Sequence, residues 1–100
     1  KSPVTMEEIV VNLYSQERRL RFLSTQMNID LFSESDKGVI EDLKFFINDA
    51  LIDIAGNTSP EDLNSITGRI LLETRIKKRI NLFAKRPLVK KIYFSKFIIQ

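Results

Sequence analysis

Residues 23–31 alternate strictly between two sets of side chains, and this pattern constrains the fold more than any other feature of the chain. One set holds Leu23, Thr25, Met27, Ile29 and Leu31, and the other holds Ser24, Gln26, Asn28 and Asp30. Because successive side chains of a strand point to opposite faces, the alternation predicts a long, half-buried strand over about 18–31. The chain therefore contains a sheet with one face turned towards a core.

Two further segments have the composition of strands. Residues 9–14 alternate with period two and predict a strand over about 8–14, and the short polar connection at 15–17 predicts an antiparallel hairpin with the strand that follows. Leu88–Ile99 is dense in β-branched and aromatic residues, which predicts a long last strand. Its apolar residues fall on both faces, so this strand is expected either to be covered on both sides or to meet a partner.

A first helix is expected after Ser33–Asp36, whose hydroxyl and carboxylate oxygens could accept hydrogen bonds from free amides at a helix start. Apolar residues then recur at three- and four-residue steps, as on the buried side of an amphipathic helix. They are Val39, Ile40, Leu43, Phe46, Ile47, Ala50, Leu51 and Ile54. Gly56 and Asn57 are expected to end the helix in a left-handed cap.

The sequence Ser59–Leu63 is a second helix start, with a serine cap and Pro60 at the first helical position. It begins either a single turn or the next long helix. An apolar stripe follows, formed by Ile66, Ile70, Leu72, Ile76, Ile80 and Phe83, and the basic residues Arg75, Lys78, Arg79, Lys85 and Arg86 lie mainly opposite it. Pro87 breaks the helix.

The element order β-β-α-α-β predicts an α+β fold. Two amphipathic helices would lie on one face of a small antiparallel sheet, and residues 1–100 would form a single domain.

Composition excludes most catalytic chemistry. The chain has no cysteine and no histidine, so it lacks thiol nucleophiles, disulfides, the usual metal ligands and the commonest general base. Its three glycines are scattered and form no phosphate-binding loop. We expect no catalytic residue, no metal site and no cofactor, and hence a protein that is not an enzyme.

The net charge of +3 conceals a strong asymmetry along the chain. Residues 1–65 carry six basic and twelve acidic side chains, whereas residues 66–100 carry ten basic and one acidic. Such a split is typical of proteins that bind nucleic acid, a membrane surface or an acidic protein. Tyr93 and Phe94 could stack on bases, but they lie with Phe97 in an apolar strand and are expected in the core.

The tightest basic cluster is Lys85, Arg86, Lys90 and Lys91, on either side of Pro87. It is either an ordinary solubilising corner or a contact surface for anionic lipid headgroups or an acidic protein face. A small basic module that binds nucleic acid or lipid headgroups therefore stays open as an alternative function.

Several short segments resemble the periplasmic domain of the FliL family of flagellar basal-body proteins. They are Val10–Leu13, Arg21–Leu23, Ile47–Ile52, Thr58 with Glu61–Leu63, Thr67–Gly68, Ile80–Asn81 and Val89–Gln100, in the family's order and with similar spacing. The resemblance runs from about residue 5 to the end of the chain.

The resemblance implies a fold similar to the stomatin/prohibitin (SPFH) domain and a location on the periplasmic side of the inner membrane. One N-terminal transmembrane helix, absent from these residues, would anchor it; no window here has the roughly 18 apolar residues that a membrane span needs. The family also implies a ring-like homo-oligomer around the stator proteins MotA and MotB, with a supporting role in motility and no binding of nucleic acid.

On this interpretation, Arg75, Lys78, Arg79, Lys85 and Arg86 are the candidate interface residues, together with Lys90 and Lys91. They would pair with the acidic surface of the next protomer or with an acidic segment of the stator. The competing interpretation is that these charges only solvate their helix and turn, because exposed ion pairs contribute about 0 to 1 kcal/mol each.

Overall fold

A computed structural model describes residues 2–17 and 19–100 of the chain. The strands are β1 (Val4–Thr5), β2 (Ile9–Leu13), β3 (Arg21–Leu31) and β4 (Val89–Ile99). The helices are α1 (Lys37–Asp42), α2 (Lys44–Gly56), α3 (Pro60–Leu63) and α4 (Ile66–Ala84), and a 3₁₀ turn at Glu34–Asp36 precedes α1. The α+β class is confirmed, with one more strand and more helical segments than the sequence predicts.

The alternating segment forms the central strand of an antiparallel sheet. β2 and β1 pair in tandem along one edge of β3, with Val11 opposite Leu23 and Val4 opposite Ile29. β4 pairs along the other edge. The predicted hairpin is confirmed. The described part of the predicted strand over 18–31 begins at Arg21, and residue 18 lies outside the described residues.

The two-residue strand β1 is too short to show a period in the sequence, yet it changes the environment of one polar residue. Thr5 Oγ1 donates a hydrogen bond to Asn28 Oδ1 at 2.8 Å, and Met6 N donates to Met27 O at 2.9 Å. Asn28, predicted on the more polar side of β3, is only 5% exposed as a result.

Two bulges in β4 account for its apparent two-sided apolarity. The register with β3 shifts between Gln26 and Met27 and again between Asp30 and Leu31. Each shift inserts one extra residue in β4 and so reverses the alternation. The side chains on the helix-covered face are consequently spaced by three and two residues in turn; they are Val89, Ile92, Phe94, Phe97 and Ile99.

Both long helices pack on the same face of the sheet, α2 over β2 and α4 over β4, and they contact each other. The buried apolar residues of sheet and helices form one cluster, with Leu23 and Ile29 in β3, Leu51 in α2 and Ile76 in α4 fully enclosed. The prediction that two amphipathic helices pack on one face of the sheet is therefore confirmed.

The start of the first helix differs from expectation. No side-chain cap forms there: Ser33 Oγ lies 2.7 Å from Ser35 Oγ instead of accepting from an amide. At its end, Asn57 has φ −103°, so the predicted left-handed cap is wrong. Asn57 Nδ2 instead donates to Asp53 O at 2.8 Å, and this hydrogen bond satisfies a backbone carbonyl in the last turn of α2.

The second predicted helix start is confirmed as a single turn. Ser59 Oγ accepts from Asp62 N, and α3 then ends. Ser65 starts α4 in the same way by accepting from Gly68 N at 2.9 Å. A β-carbon added at Gly68 would lie 1.7 Å from Asp62 O, so only glycine fits at this junction.

The predicted apolar stripe of α4 is partly wrong. Leu72, Ile76 and Ile80 are buried at four-residue spacing, whereas Ile66 and Ile70 are 78% and 56% exposed. Ile70 precedes Ile76 by six residues, which places it about 120° away around a helix of 3.6 residues per turn. Phe83 is also largely exposed, although one side of its ring stacks on Phe46.

Candidate interaction surface

The seven predicted interface cations fall on three separate parts of the structure. Arg75, Lys78 and Arg79 lie on α4 beside α2, Lys85 and Arg86 form the corner after α4, and Lys90 and Lys91 begin β4. They therefore do not form one continuous basic patch, and each group has its own partners.

The first group borders a groove between the end of α2 and α4, with a volume of about 580 Å³. The Arg79 side chain spans this groove, and its Nη1 donates to Asp53 Oδ2 at 2.6 Å. Arg75 and Lys78 line the same groove and form no ion pair with any of the residues that the structure describes. The groove thus holds one internally paired cation and two that remain available.

In the corner group, Arg86 already has an ion-pair partner within the chain. Both guanidinium Nη atoms of Arg86 donate to the carboxylate of Asp36, at 2.9 and 3.1 Å. The hydrogen bond from Arg86 lowers the pKa of Asp36 below its ordinary value; partial burial opposes this shift and the positive charge of Arg86 adds to it. Lys85 is exposed and has φ 59°, in the left-handed region.

Asn81 connects the same corner to the sheet. Its Oδ1 accepts from Leu88 N at 3.1 Å and from Val89 N at 2.8 Å, and its Nδ2 donates to Val89 O at 3.0 Å. These three bonds satisfy backbone groups on either side of the strand start, where Pro87 interrupts regular pairing. The roles of Asn81 and Asp36 at this corner were not predicted from the sequence, because each bonds to residues of another element.

The strand group lies at the start of β4. Lys91 is opposite Asp30 in the register, its Nζ lies 5.9 Å from the centre of the Tyr93 ring, and it borders a cleft that Glu73 and Lys77 of α4 also line. Tyr93 pairs with Asn28, on the face of the sheet away from the helices, so its predicted place in the core is wrong. Phe94 and Phe97 do pack against the core, and Arg69 covers the Phe97 ring at 4.8 Å.

Glu73 is the only acidic residue of the basic third of the chain, and it lies on the sheet side of α4. Burial raises the pKa of its carboxyl, and the positive charges of Lys91 and Arg69 oppose the rise. Among the described residues, Lys91 and Arg69 are the cations whose charges act on this carboxylate.

Exposed apolar residues on α2 and α4 supply a surface that was not predicted from the sequence. Phe45 and Leu82 are 75% and 81% exposed, and Ile52 and Leu71 are each 44% exposed. Charged residues lie between them on the outward sides of α2 and α4, and Asp42 at the end of α1 adds one more. We call the set the outer helical face; it consists of Asp42, Phe45, Asp49, Ile52, Leu71, Arg75, Lys78 and Leu82.

The exposed side chains of this surface are of the kinds that bind a complementary protein surface. No group of three or more possible metal-ligating side chains occurs among residues 2–17 and 19–100. Within the same residues, none of the helices has the length and apolarity to cross a bilayer. What remains is a set of exposed cations, acids and apolar side chains on a rigid two-layer scaffold, which can recognise a complementary surface.

Comparison with known proteins identifies sequences of the same kind. A family sequence model described as "Flagellar basal body-associated protein FliL" matches residues 3–100, which include every strand and helix. A curated relative, the flagellar protein FliL of Bacillus subtilis (strain 168), is 25% identical over 99 residues. That alignment covers 99% of this chain and 68% of the relative.

Proposed function

Because the chain belongs to the FliL family of flagellar basal body-associated proteins, we propose that it is a non-enzymatic accessory protein that supports the stator units of the flagellar motor. The family match over residues 3–100 carries the proposal. The absence of cysteine and histidine agrees with a role in binding and positioning.

In this proposal, residues 1–100 are one periplasmic domain of a protein anchored in the inner membrane by a single N-terminal helix. Copies assemble as a ring around MotA and MotB, and the domain has the stomatin/prohibitin-type fold. Helices on one face of a small antiparallel sheet agree with that fold assignment. Membrane anchoring would raise the local concentration of each copy and so favour weak contacts between neighbours.

The surface charges support contact with an acidic protein surface. Arg75, Lys78, Lys85 and Lys90 are exposed, and the structure gives no ion pair for any of them within the described residues. Arg79 and Arg86 have internal carboxylate partners, so their first role in the proposal is to hold the helices that present the others.

The test is deletion and complementation in the bacterium that encodes the chain. We expect deletion to leave flagella assembled but to reduce the number of fluorescently labelled stator units per motor and the swimming speed in viscous medium. The full-length gene should restore both. Unchanged stator occupancy together with unchanged swimming under load would contradict the proposal.

Surface variants of α4 test which cations the function requires. The double substitution Arg75→Glu/Lys78→Glu should fail to restore stator occupancy, while Lys77→Glu, one residue away on the same helix but turned towards β4, should restore it. Equal protein levels measured by immunoblotting would show that neither result reflects loss of the protein.

A further inference from the structure

The outer edge of β4 has no strand beside it among the residues that the structure describes. β1 and β2 share the opposite edge of β3, and β4 pairs with β3 alone. The open edge of β4 is 11 residues long, whereas the other open edge is divided between five residues of β2 and two of β1. A long open edge presents unpaired backbone groups to which a strand of another chain can bind.

Backbone groups near the end of β4 point away from β3. Phe22 N donates to Gln100 O at 2.8 Å and Gln100 N donates to Phe22 O at 2.9 Å, so these two residues form a hydrogen-bonded pair. In an antiparallel ladder, such pairs alternate with residues whose amide and carbonyl point outwards. Because the register between Phe22 and Gln26 has no shift, the outward residues of β4 are Ile99 and Phe97. Their backbone groups can therefore bond to an added strand.

One flank of α4 borders this edge. Ile66, Ile70, Glu73 and Lys77 follow one another at spacings of four, three and four residues and so share one side of the helix. Three of them, Ile70, Glu73 and Lys77, line a cleft of about 190 Å³ together with Lys91 of β4. A strand added to β4 would lie between this flank and the edge, as in other proteins where a peptide adds to a sheet.

Two isoleucines of this flank are exposed although the sequence predicts them on the buried side of α4. Ile66 is 78% exposed and Ile70 is 56% exposed. Because successive side chains of a strand alternate between the two faces of a sheet, every second side chain of an added strand would face α4. Apolar side chains at those positions would cover both isoleucines.

The charges beside the edge favour an acidic partner. Lys77, Lys91 and Arg69 form no ion pair among the described residues. The Arg69 guanidinium lies 4.8 Å from the centre of the Phe97 ring, and its Nε is buried without a hydrogen-bond acceptor in the described part of the chain. Glu73 is the one acid among the described residues that line the cleft. Three cations against one acid leave a positive surface that carboxylates complement.

We infer that the outer edge of β4 and the adjoining flank of α4 bind an extended acidic segment of a partner protein, which adds to the sheet as one more strand. Hydrogen bonds to the backbone of Phe97 and Ile99 supply affinity, and the side chains of the segment supply selectivity.

This site is separate from the surface proposed for stator contact. Arg75 lies two residues from both Glu73 and Lys77 and hence on the opposite side of α4, since each residue turns a helix by about 100°. The inference therefore goes beyond the proposed function and does not require it.

A peptide-display library tests which segments the edge binds. Random peptides of about ten residues, the upper length of ordinary strands, are selected against the purified chain. The recovered peptides should contain more aspartate and glutamate than the starting library and should alternate them with apolar residues. Adding one of them should shift the amide NMR signals of Phe97 and Ile99 most. Recovery of no binder, of binders without an acidic excess, or of binders that mainly shift signals elsewhere would overturn the inference.

Main-chain methylation tests the addition of a strand. Along an added strand, the amides of alternate residues face β4 and the amides between them face solvent. Methylating one alternate set in a recovered peptide should weaken binding at least about tenfold, because two or more hydrogen bonds are lost. Methylating the other set should weaken it by no more than about threefold. Equal effects of the two sets would overturn strand addition.

Charge variants test the cations beside the edge. Lys77→Glu and Lys91→Glu should each weaken binding of a recovered acidic peptide at least about fivefold, because each places a like charge beside it. Lys44→Glu makes the same charge change on α2, which packs over β2, and should leave binding unchanged. A library selected anew against Lys77→Glu/Lys91→Glu should lose its acidic excess. Equal weakening by Lys44→Glu, or an acidic excess that persists against the double variant, would overturn the assignment.

The chain without peptide tests the other possible occupant of the edge, a second copy of the same chain. The NMR signals of Phe97 and Ile99 should stay unchanged as protein concentration rises. Concentration-dependent shifts confined to these signals and their neighbours in β4 would mean that a second copy occupies the edge, and would overturn the assignment to an acidic partner. Failure of the stator experiments would leave this inference standing, because none of its tests involves the stator.

Discussion

The two sides of α4 use the same kinds of residue for different purposes. On the inner side and at the ends, Gly68 lies against the Asp62 carbonyl, Arg79 pairs with Asp53 and Asn81 bonds to the start of β4. On the outer side, Arg75 and Lys78 have no ionic partner among the described residues. Polar groups on the inner side therefore stabilise the fold, and those on the outer side are available for binding.

This difference separates the predicted interface cations into those that report on folding and those that report on binding. Arg79 and Arg86 each pair with a carboxylate of another element, so their substitution would change the stability of the fold and any contact together. Lys78 offers a cleaner probe of contact because its removal breaks no described interaction. Substitutions along α4 should accordingly fall into two classes, and the expected effects below run from the largest to the smallest.

Gly68→Ala should cause the largest loss. Its β-carbon would collide with backbone atoms of Asp62, and a backbone shift at the α3–α4 junction is the only relief. We expect the free energy of unfolding to fall by roughly 3 kcal/mol, in the upper range for overpacking, as measured by urea denaturation.

Gly38→Ala is the matched control because nothing lies within 4 Å of its new β-carbon. It should be neutral or stabilising by about 0.5 kcal/mol, since alanine favours helix; equal losses at both glycines would contradict the steric explanation.

Asn81→Ala should give the next largest effect. It removes the acceptor for two amides and a donor to one carbonyl at the start of β4. Unsatisfied groups there should lower the free energy of unfolding by about 1–3 kcal/mol. Asn64→Ala, at an exposed asparagine with no described side-chain hydrogen bond, is the control and should change stability little. A loss at Asn81 no greater than at Asn64 would show that these bonds do not hold the corner.

The elements of this fold could be predicted from local pattern, but the partners of its polar residues could not. Alternation in residues 23–31 and the Ser59–Pro60 start each depend on neighbours within a few positions, and both predictions are confirmed. Arg86 and Asp36 are 50 residues apart, and no periodicity relates them. The bulges of β4 could not be predicted, because apolar residues fall on both of its faces and only the pairing with β3 shows which of them face the core.

The Arg86–Asp36 pair should make a smaller, pH-dependent contribution to the free energy of unfolding. Because the pKa of Asp36 is lowered in the folded chain, the native state binds its proton more weakly than the unfolded state does. The resulting stabilisation is complete above the unfolded-state pKa and is lost as pH falls through the lower native value. Arg86→Gln should therefore lower the melting temperature at pH 7, with a difference that shrinks below about pH 4. Lys85→Gln, the neighbouring cation, should show no such trend; a pH-independent effect of Arg86→Gln would contradict the assignment.

Lys85→Gly should raise stability slightly. Lys85 has φ 59°, a conformation that costs about 1 kcal/mol or more in a residue with a β-carbon and nothing in glycine. The greater freedom of glycine in the unfolded chain offsets part of this gain, so we expect a net increase of about 0.5 kcal/mol in the free energy of unfolding. Lys90→Gly, in the extended backbone of β4, should destabilise instead. Destabilisation by both substitutions would mean that the Lys85 side chain contributes more than its backbone strain costs.

Lys78→Gln should have the smallest effect on the isolated fold and is the sharpest test of the difference between the two sides of α4. At low protein concentration we expect the free energy of unfolding to change by no more than about 0.5 kcal/mol, as for other exposed positions without described partners.

At high concentration, a contact between copies stabilises the folded state by mass action, so the melting temperature of the wild type should rise with concentration. That of Lys78→Gln should rise less, because the substitution removes a cation from the surface proposed for contact between copies. Arg79→Gln should show the reverse behaviour, with a loss of stability at every concentration from its internal Asp53 partner. If both variants lost stability equally in dilute solution, the outer side of α4 would be part of the fold and the distinction between its two sides would fail.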